Sequence, residues 1–283
     1  MKELSLRLTV LPLVLGVLGV LGAGCSGQAP LRLPFQGLSS NSVHRFFPDL
    51  DGRENAIRYG RWRAFENAWT RGIRRELDGA LEGSLLAAIH RLPDFPPDAT
   101  LSAPRFSREA PRAFSAILQA DRLEREVADA LAATDASATN TKVRIERSLT
   151  AYRRARFALS EPGPAAADAM PGAFRTAKLL QEGDWLFARS AEDLAATSFR
   201  EQRWKVKASV DRFDREIVAL PDSPESFWYT RFAPTFTETY PLVASALDRA
   251  THFRIDVFRA LTPAEPASRR EGLKAVERAY GLR

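Results

Sequence analysis

Side chains able to carry chemistry are few and widely spaced in this sequence. Histidine occurs only as His44, His90 and His252. None stands in a His-Glu-x-x-His or Glu-x-x-His spacing, so the ligand sets of the common zinc proteases and of di-iron bundles are missing. Cysteine occurs once, as Cys25. One thiol cannot form an intramolecular disulfide, and covalent haem attachment needs two. No Walker loop, dinucleotide-binding glycine pattern or Gly-x-Ser-x-Gly elbow is present. The acidic pairs Asp49/Asp51 and Glu192/Asp193 read as helix caps or solvated charges. A glycosidase needs two carboxylates facing each other across a cleft, which spacing along a chain does not provide. These absences predict a non-enzymatic domain with no metal and no cofactor.

The densest stretch runs from Asp51 to Trp69. At helical spacing one face carries Asn55, Tyr59, Trp62, Glu66 and Trp69, with Arg53, Arg58, Arg61 and Arg63 around it. Two readings stay open. Tyr59, Trp62, Glu66 and Trp69 form a ligand- or partner-binding groove, in which aromatic faces and a charged group hold a polar guest. Alternatively the aromatics are core and the Arg stems pack over them. The same pair of readings applies to Phe227, Trp228, Tyr229, Phe232, Phe236 and Tyr240.

Charge narrows the partners. The chain has a formal net charge of +6, and Arg outnumbers Lys 35 to 6. Guanidinium groups bind phosphate and carboxylate bidentately. A GC-rich genome also favours Arg and Ala. Acidic residues are interspersed nearly everywhere and no long basic block occurs, so nucleic acid is not expected as a partner.

The amino terminus is unlike the rest. Lys2 and Arg7 are followed by an unbroken run of apolar, Gly and Pro residues from Val10 to Leu21. That run is shorter than the roughly 20 residues a stable transmembrane helix takes. A basic start, a short apolar run and small residues form the layout of a secretory signal. Leu21-Gly22-Ala23-Gly24-Cys25 resembles the lipobox of bacterial lipoprotein precursors, although Leu stands one position earlier than is usual in that family. The resemblance implies that residues 1–24 are removed, that Cys25 carries a diacylglycerol, and that its new amino group is acylated. Three chains anchor firmly where one would not, since each buried methylene contributes about 0.8 kcal/mol. Ser26, where Asp would favour the inner membrane, points to the outer membrane facing the periplasm. The alternative is an ordinary signal peptide, which Gly22 and Gly24 would also suit.

Stepping along the chain, residues 25–48 read as a lipidated tether and 49–283 as one all-α domain with a hinge candidate near 161–172, rich in Pro and Ala. Periodicity predicts an irregular bundle of about seven helices. The first runs from a capping box at Asp51/Glu54 to about Arg91, weakened at Gly79 and Gly83. Prolines 93, 96, 97, 104 and 111 predict a loop. Helices follow near 107–133, 141–159, from Phe174 to Glu182 or beyond, from about 195 to 220, and 241–261. A short last helix starts from a box at Thr262-Pro263-Ala264-Glu265. Thr235 to Tyr240 could form a brief strand. No repeat of fixed period is evident. The expected function is that of a membrane-tethered envelope lipoprotein serving as a protein-interaction scaffold. The alternative is a small-ligand or lipid-handling module with an interhelical pocket.

Overall fold

Proline sets the corners of this fold. The computed structural model describes residues 41–73, 75–134, 137–160, 175–196, 198–219 and 229–282. Within them, Ala103, Ala110, Ala233 and Tyr240 each precede a proline and share one conformation, with φ between −127° and −136° and ψ between 54° and 63°. The pyrrolidine ring drives the preceding residue out of the helical region, and the proline itself has a φ suited to a first helical position. One helix therefore ends and the next begins across a single residue.

Thirteen helices result among the described residues, in the all-α architecture that the periodicity predicts. They are α1 (Asn41–Phe46), α2 (Pro48–Arg71), α3 (Arg75–Arg91), α4 (Ala99–Ser102), α5 (Pro104–Glu109), α6 (Pro111–Ala132), α7 (Ala138–Arg154), α8 (Arg175–Leu194), α9 (Phe199–Ala219), α10 (Tyr229–Phe232), α11 (Pro234–Thr239), α12 (Pro241–Ala260) and α13 (Pro266–Ala279). None of them is long and apolar enough to cross a membrane.

Several boundaries differ from expectation for physical reasons. The expected capping box at Asp51/Glu54 lies inside α2, because Pro48 takes the first helical position. Asp51 there accepts from Asn55 and faces His44, while Glu54 pairs with Arg58. The long helix expected to reach Arg91 is broken at Gly72, which has φ +69° and sits so close to the Pro263 carbonyl that a Cβ would lie 2.7 Å from it. Gly79 and Gly83, the expected weak points, remain helical with open space around them. The loop expected over 93–111 contains α4 and α5, and α6 starts at Pro111 rather than near 107. Thr235–Tyr240 is helix α11 and a corner, not a strand. Gly183 and Asp184 do not end a helix, since α8 runs on to Leu194. The box at Thr262–Glu265 is the turn before α13, whose first residue is Pro266. The hinge candidate 161–172, the signal and Cys25 lie outside the described residues.

A repeat is present after all. Helices α2–α7 and α8–α13 run through the same series: two long helices, a four-residue helix, a six-residue helix and two long helices. Both six-residue helices sit between the two pre-proline corners and carry a fully buried Phe as their third residue, Phe106 and Phe236. Their first turns are capped alike. Glu66 accepts from the amides of Arg105 and Phe106 at 3.0 and 2.9 Å, and Glu192 accepts from that of Phe236 at 3.0 Å. In sequence the resemblance is Ala-Pro-x-Phe-(Ser/Thr) at 103–107 and 233–237, and in the same register Pro111/Pro241, Ser115/Ser245, Ala116/Ala246, Ala120/Ala250 and Val127/Val257.

The core lies among α2, α6, α8 and α12, and α2 approaches α8 so closely that a Cβ on Gly183 would meet Ile57 at 2.5 Å. At its centre is a closed ring of alternating charge with one corner from each of these helices. Arg61 donates to Asp121 at 2.8 Å and to Asp184 at 2.7 Å. Arg254 completes the ring, donating to Asp121 at 3.4 Å and to Asp184 at 3.2 Å. Arg254 also donates to Glu124 at 2.6 Å and to Thr251 at 2.9 Å. All five charged side chains are buried. Burial opposes ionisation of Glu124, but Arg254, Arg61 and Arg58 outweigh it and hold the carboxyl below its usual range. Paired in this way, the charges are tolerable in a low-dielectric interior; unpaired, they would not be.

One carboxylate nearer the surface lacks such a partner set. Burial, reinforced by Glu216 and opposed by Arg212, pushes Glu182 from its ordinary 4.5 up to about 7. The folded state therefore holds this proton more tightly than the unfolded chain does. The stability that Glu182 contributes is fully present below about 4.5 and is lost as pH rises through about 7. Glu182→Gln is expected to remove that decline, leaving the variant on the order of 1 kcal/mol more stable than the parent above neutrality after solvent screening. Urea unfolding across this pH range would measure it, and parallel curves for the two proteins would refute the assignment.

Candidate functional site

A concavity is built where the end of α2, the α5–α6 corner and α13 meet. Its volume is about 450 Å3, and it is open on one side rather than enclosed. The floor is apolar: Trp69 from α2, Leu273 from α13, and Leu282 just beyond α13, all buried. Trp69 and Leu273 are there because their helices turn those positions inward. Leu273 shares the inner stripe of α13 with Val276, and Trp69 follows Phe65 on α2.

Four cations stand around this floor. Arg112 comes from the first turn of α6, and Arg270, Lys274 and Arg278 recur every fourth residue along α13. All four are exposed. Two carboxylates are present, and both are engaged. Glu109 accepts from the Trp69 indole at 3.2 Å and faces Arg270 at 3.9 Å. Glu277 accepts from the amide of Ala113 at 3.3 Å, in the first turn of α6, where a negative group complements the helix dipole. Burial raises the Glu277 pKa, opposed by that amide, Arg112 and Lys274. The lining contributes no His, Cys, Ser or Thr. The arrangement offers an apolar floor to a hydrophobic group and a positive rim to an anionic one.

The four residues singled out in the sequence are not brought together into one groove. Trp69 reaches the cleft floor. Trp62 is 2% exposed and packs between Phe65 and Phe114, with ring centroids 6.2 and 4.8 Å away, so it is core. Glu66 caps α5 through the amides of Arg105 and Phe106. Tyr59 is half-buried, with the Arg63 guanidinium 6.0 Å above its ring. The groove expected over all four is filled, because α5 and α6 pack against that face and seat Phe106 and Phe114 on it. Within the second aromatic cluster, Tyr229 and Phe236 are core, and Phe227 and Trp228 lie outside the described residues.

Comparison with models of known protein families, with curated proteins and with solved structures finds no match to this chain. The site must therefore be read from its own geometry. Among the described residues no group of three or more His, Cys, Asp or Glu is arranged to hold a metal ion. His44 contacts Asp51 at 3.0 Å, His90 is exposed and His252 is buried on α12. The cleft cations Arg270, Lys274 and Arg278 are not singled out in the sequence. The four-residue spacing of Arg270, Lys274 and Arg278 is the signal that could have found them.

Proposed function

We propose that this chain is an exported bacterial lipoprotein, anchored through acyl groups on Cys25, whose helical domain is a non-enzymatic scaffold that seats an acidic, partly apolar segment of a partner protein in the Trp69 cleft. The observation that carries the binding reading is the open cleft itself, with a cationic rim over an apolar floor. An open cleft admits a chain that enters and leaves, whereas an enclosed cavity would suit a detached small molecule. One observation favours the second reading, a small anionic amphiphile as guest. The volume of about 450 Å3 falls within the roughly 300–1,000 Å3 range of small-molecule pockets.

Trp69 is a built-in reporter for both. A short peptide of Glu residues around one Leu is expected to change the Trp69 emission, taken as the difference between the parent and Trp69→Phe. Affinity should fall with salt, and it should be lost in Arg270→Glu/Lys274→Glu. A response to decanoate and none to the peptide would establish the small-ligand reading instead. No response to either would remove the cleft as a binding seat. The anchor is tested separately. Cys25→Ser is expected to release the protein from the membrane fraction or leave an uncleaved precursor. A variant that is processed and partitions like the parent would end the lipoprotein reading.

A further inference from the structure

The outer face of α9 is unlike the other exposed surfaces. Trp204 is 70% exposed there, the most exposed aromatic side chain among the described residues. At helical spacing it shares its stripe with Arg200, Lys207, Asp211 and Arg215, and Arg203 flanks it; Arg200, Arg203, Lys207 and Arg215 are exposed. Other charges of α9 are neutralised on the helix itself, Lys205 by Glu201 at 2.7 Å, Lys207 by Asp211 at 2.7 Å and Arg212 by Glu216 at 2.6 Å. Arg200 and Arg203 have no carboxylate partner among the described residues. A large aromatic left in water beside unneutralised guanidinium groups is the composition of a membrane-interface anchor, in which indole sits at headgroup depth and Arg meets phosphate.

The position of this face gives the second argument. The described chain enters at α1, whose first amides are held by Asp129, with Ser42 and Val43 donating at 2.6 and 3.4 Å. Phe46 and Phe47 then pack edge-on against Phe199, the first residue of α9, at 5.5 and 5.9 Å. Arg203 lies over the same ring at 6.0 Å. Trp204 follows about 7.5 Å along the axis. The entry of the chain and the basic aromatic face therefore share one end of the bundle. Cys25 stands sixteen positions before Asn41, a span of at most about 58 Å. If Cys25 carries a lipid, the chain that enters at this end is the one that leads back to the bilayer.

We infer that the first turns of α9, through Trp204, Arg200 and Arg203, dock on the anionic phospholipid surface to which the chain is tethered, fixing how the domain stands on the membrane. This rests on the tethered reading, and the two can fail separately. The protein purified from the membrane fraction is reconstituted into phosphatidylcholine vesicles with or without phosphatidylglycerol, using acyl chains that are plain or brominated. In anionic vesicles bromination is expected to remove the part of the emission that Trp204→Phe lacks. Neutral vesicles, or Arg200→Glu/Arg203→Glu, should abolish that loss. Equal Trp204 emission in plain and brominated anionic vesicles would overturn the inference and leave a protein surface as the occupant of this face. If the protein is instead recovered in soluble form, the tether has failed. Co-sedimentation with anionic vesicles then tests the face alone, each Arg→Gln at 200 or 203 being expected to lower partitioning about fivefold at low salt. Unchanged partitioning would again refute it.

Discussion

Replacing Arg254 with Met should cost about 3–5 kcal/mol of folding stability, a large part of the 5–15 kcal/mol that a domain of this kind possesses. The reason lies in what would remain. Arg254 is buried and donates to Glu124, Asp184, Asp121 and Thr251. Without it, Asp121 and Asp184 share Arg61 as their close ion-pair partner, and Glu124 keeps Arg58 at 4.0 Å with Arg61 farther off. Loss of a buried partner costs more than the pair itself contributes, because the orphaned carboxylate cannot reach water. Glu124→Leu/Arg254→Met should therefore be less destabilised than Arg254→Met alone, since removing Glu124 removes the charge left without its nearest partner. Urea unfolding followed by circular dichroism would decide it. A loss of under about 1 kcal/mol for Arg254→Met would mean that the ring is not closed in solution.

The second large effect is expected at the repeated corners. Phe106→Ala and Phe236→Ala should each cost about 3–5 kcal/mol, because both rings are fully buried and a cavity is left behind. Phe106 is packed by Phe65, Trp69 and Phe114 with centroids at 5.5, 6.1 and 6.4 Å. Phe236 is packed by Tyr229 and Tyr240 at 6.1 and 5.4 Å. The two lie in different halves of the repeat, so their costs should add to within about 0.5 kcal/mol. Urea unfolding of the single and double variants tests this. If either single costs little, the two corners are not equivalent supports.

How much of this was legible in the sequence depended on whether a residue's partners lay nearby in the chain. The stripe Val206, Val210, Phe213 and Ile217 announced α9, and α12 was read to within a residue, because one helix in isolation sets that periodicity. The corners were misread because proline is compatible with a loop and with a helix start, and only tertiary packing chooses between them. The repeat is hard to see in the sequence because the identities it keeps, Ala-Pro-x-Phe followed by Pro111/Pro241, Ser115/Ser245, Ala116/Ala246 and Ala120/Ala250, are mostly small residues scattered among differing ones. The ring was invisible for a related reason. Arg61, Asp121, Asp184 and Arg254 each look like solvated charges until helices far apart in sequence close around them. Of the cleft, Trp69 was singled out and the rim was not. The aromatic run on α2 draws attention, whereas the cations of α13 have no meaning until α6 supplies the opposite wall.

The ring has a consequence for how the two halves recognise each other. Glu124 and Arg254 are each the fourteenth residue of corresponding helices, α6 and α12, and they meet at 2.6 Å. Arg58 and Asp184 also correspond, each standing eight residues before a capping glutamate, Glu66 or Glu192. At a true two-fold axis a residue meets its own copy. Two identical first halves would set Glu124 against Glu124, and two identical second halves Arg254 against Arg254. Charge inversion at matched positions thus makes each half a poor mate for itself and a good one for its neighbour in the same chain. At that contact the two halves of this chain meet as charge complements.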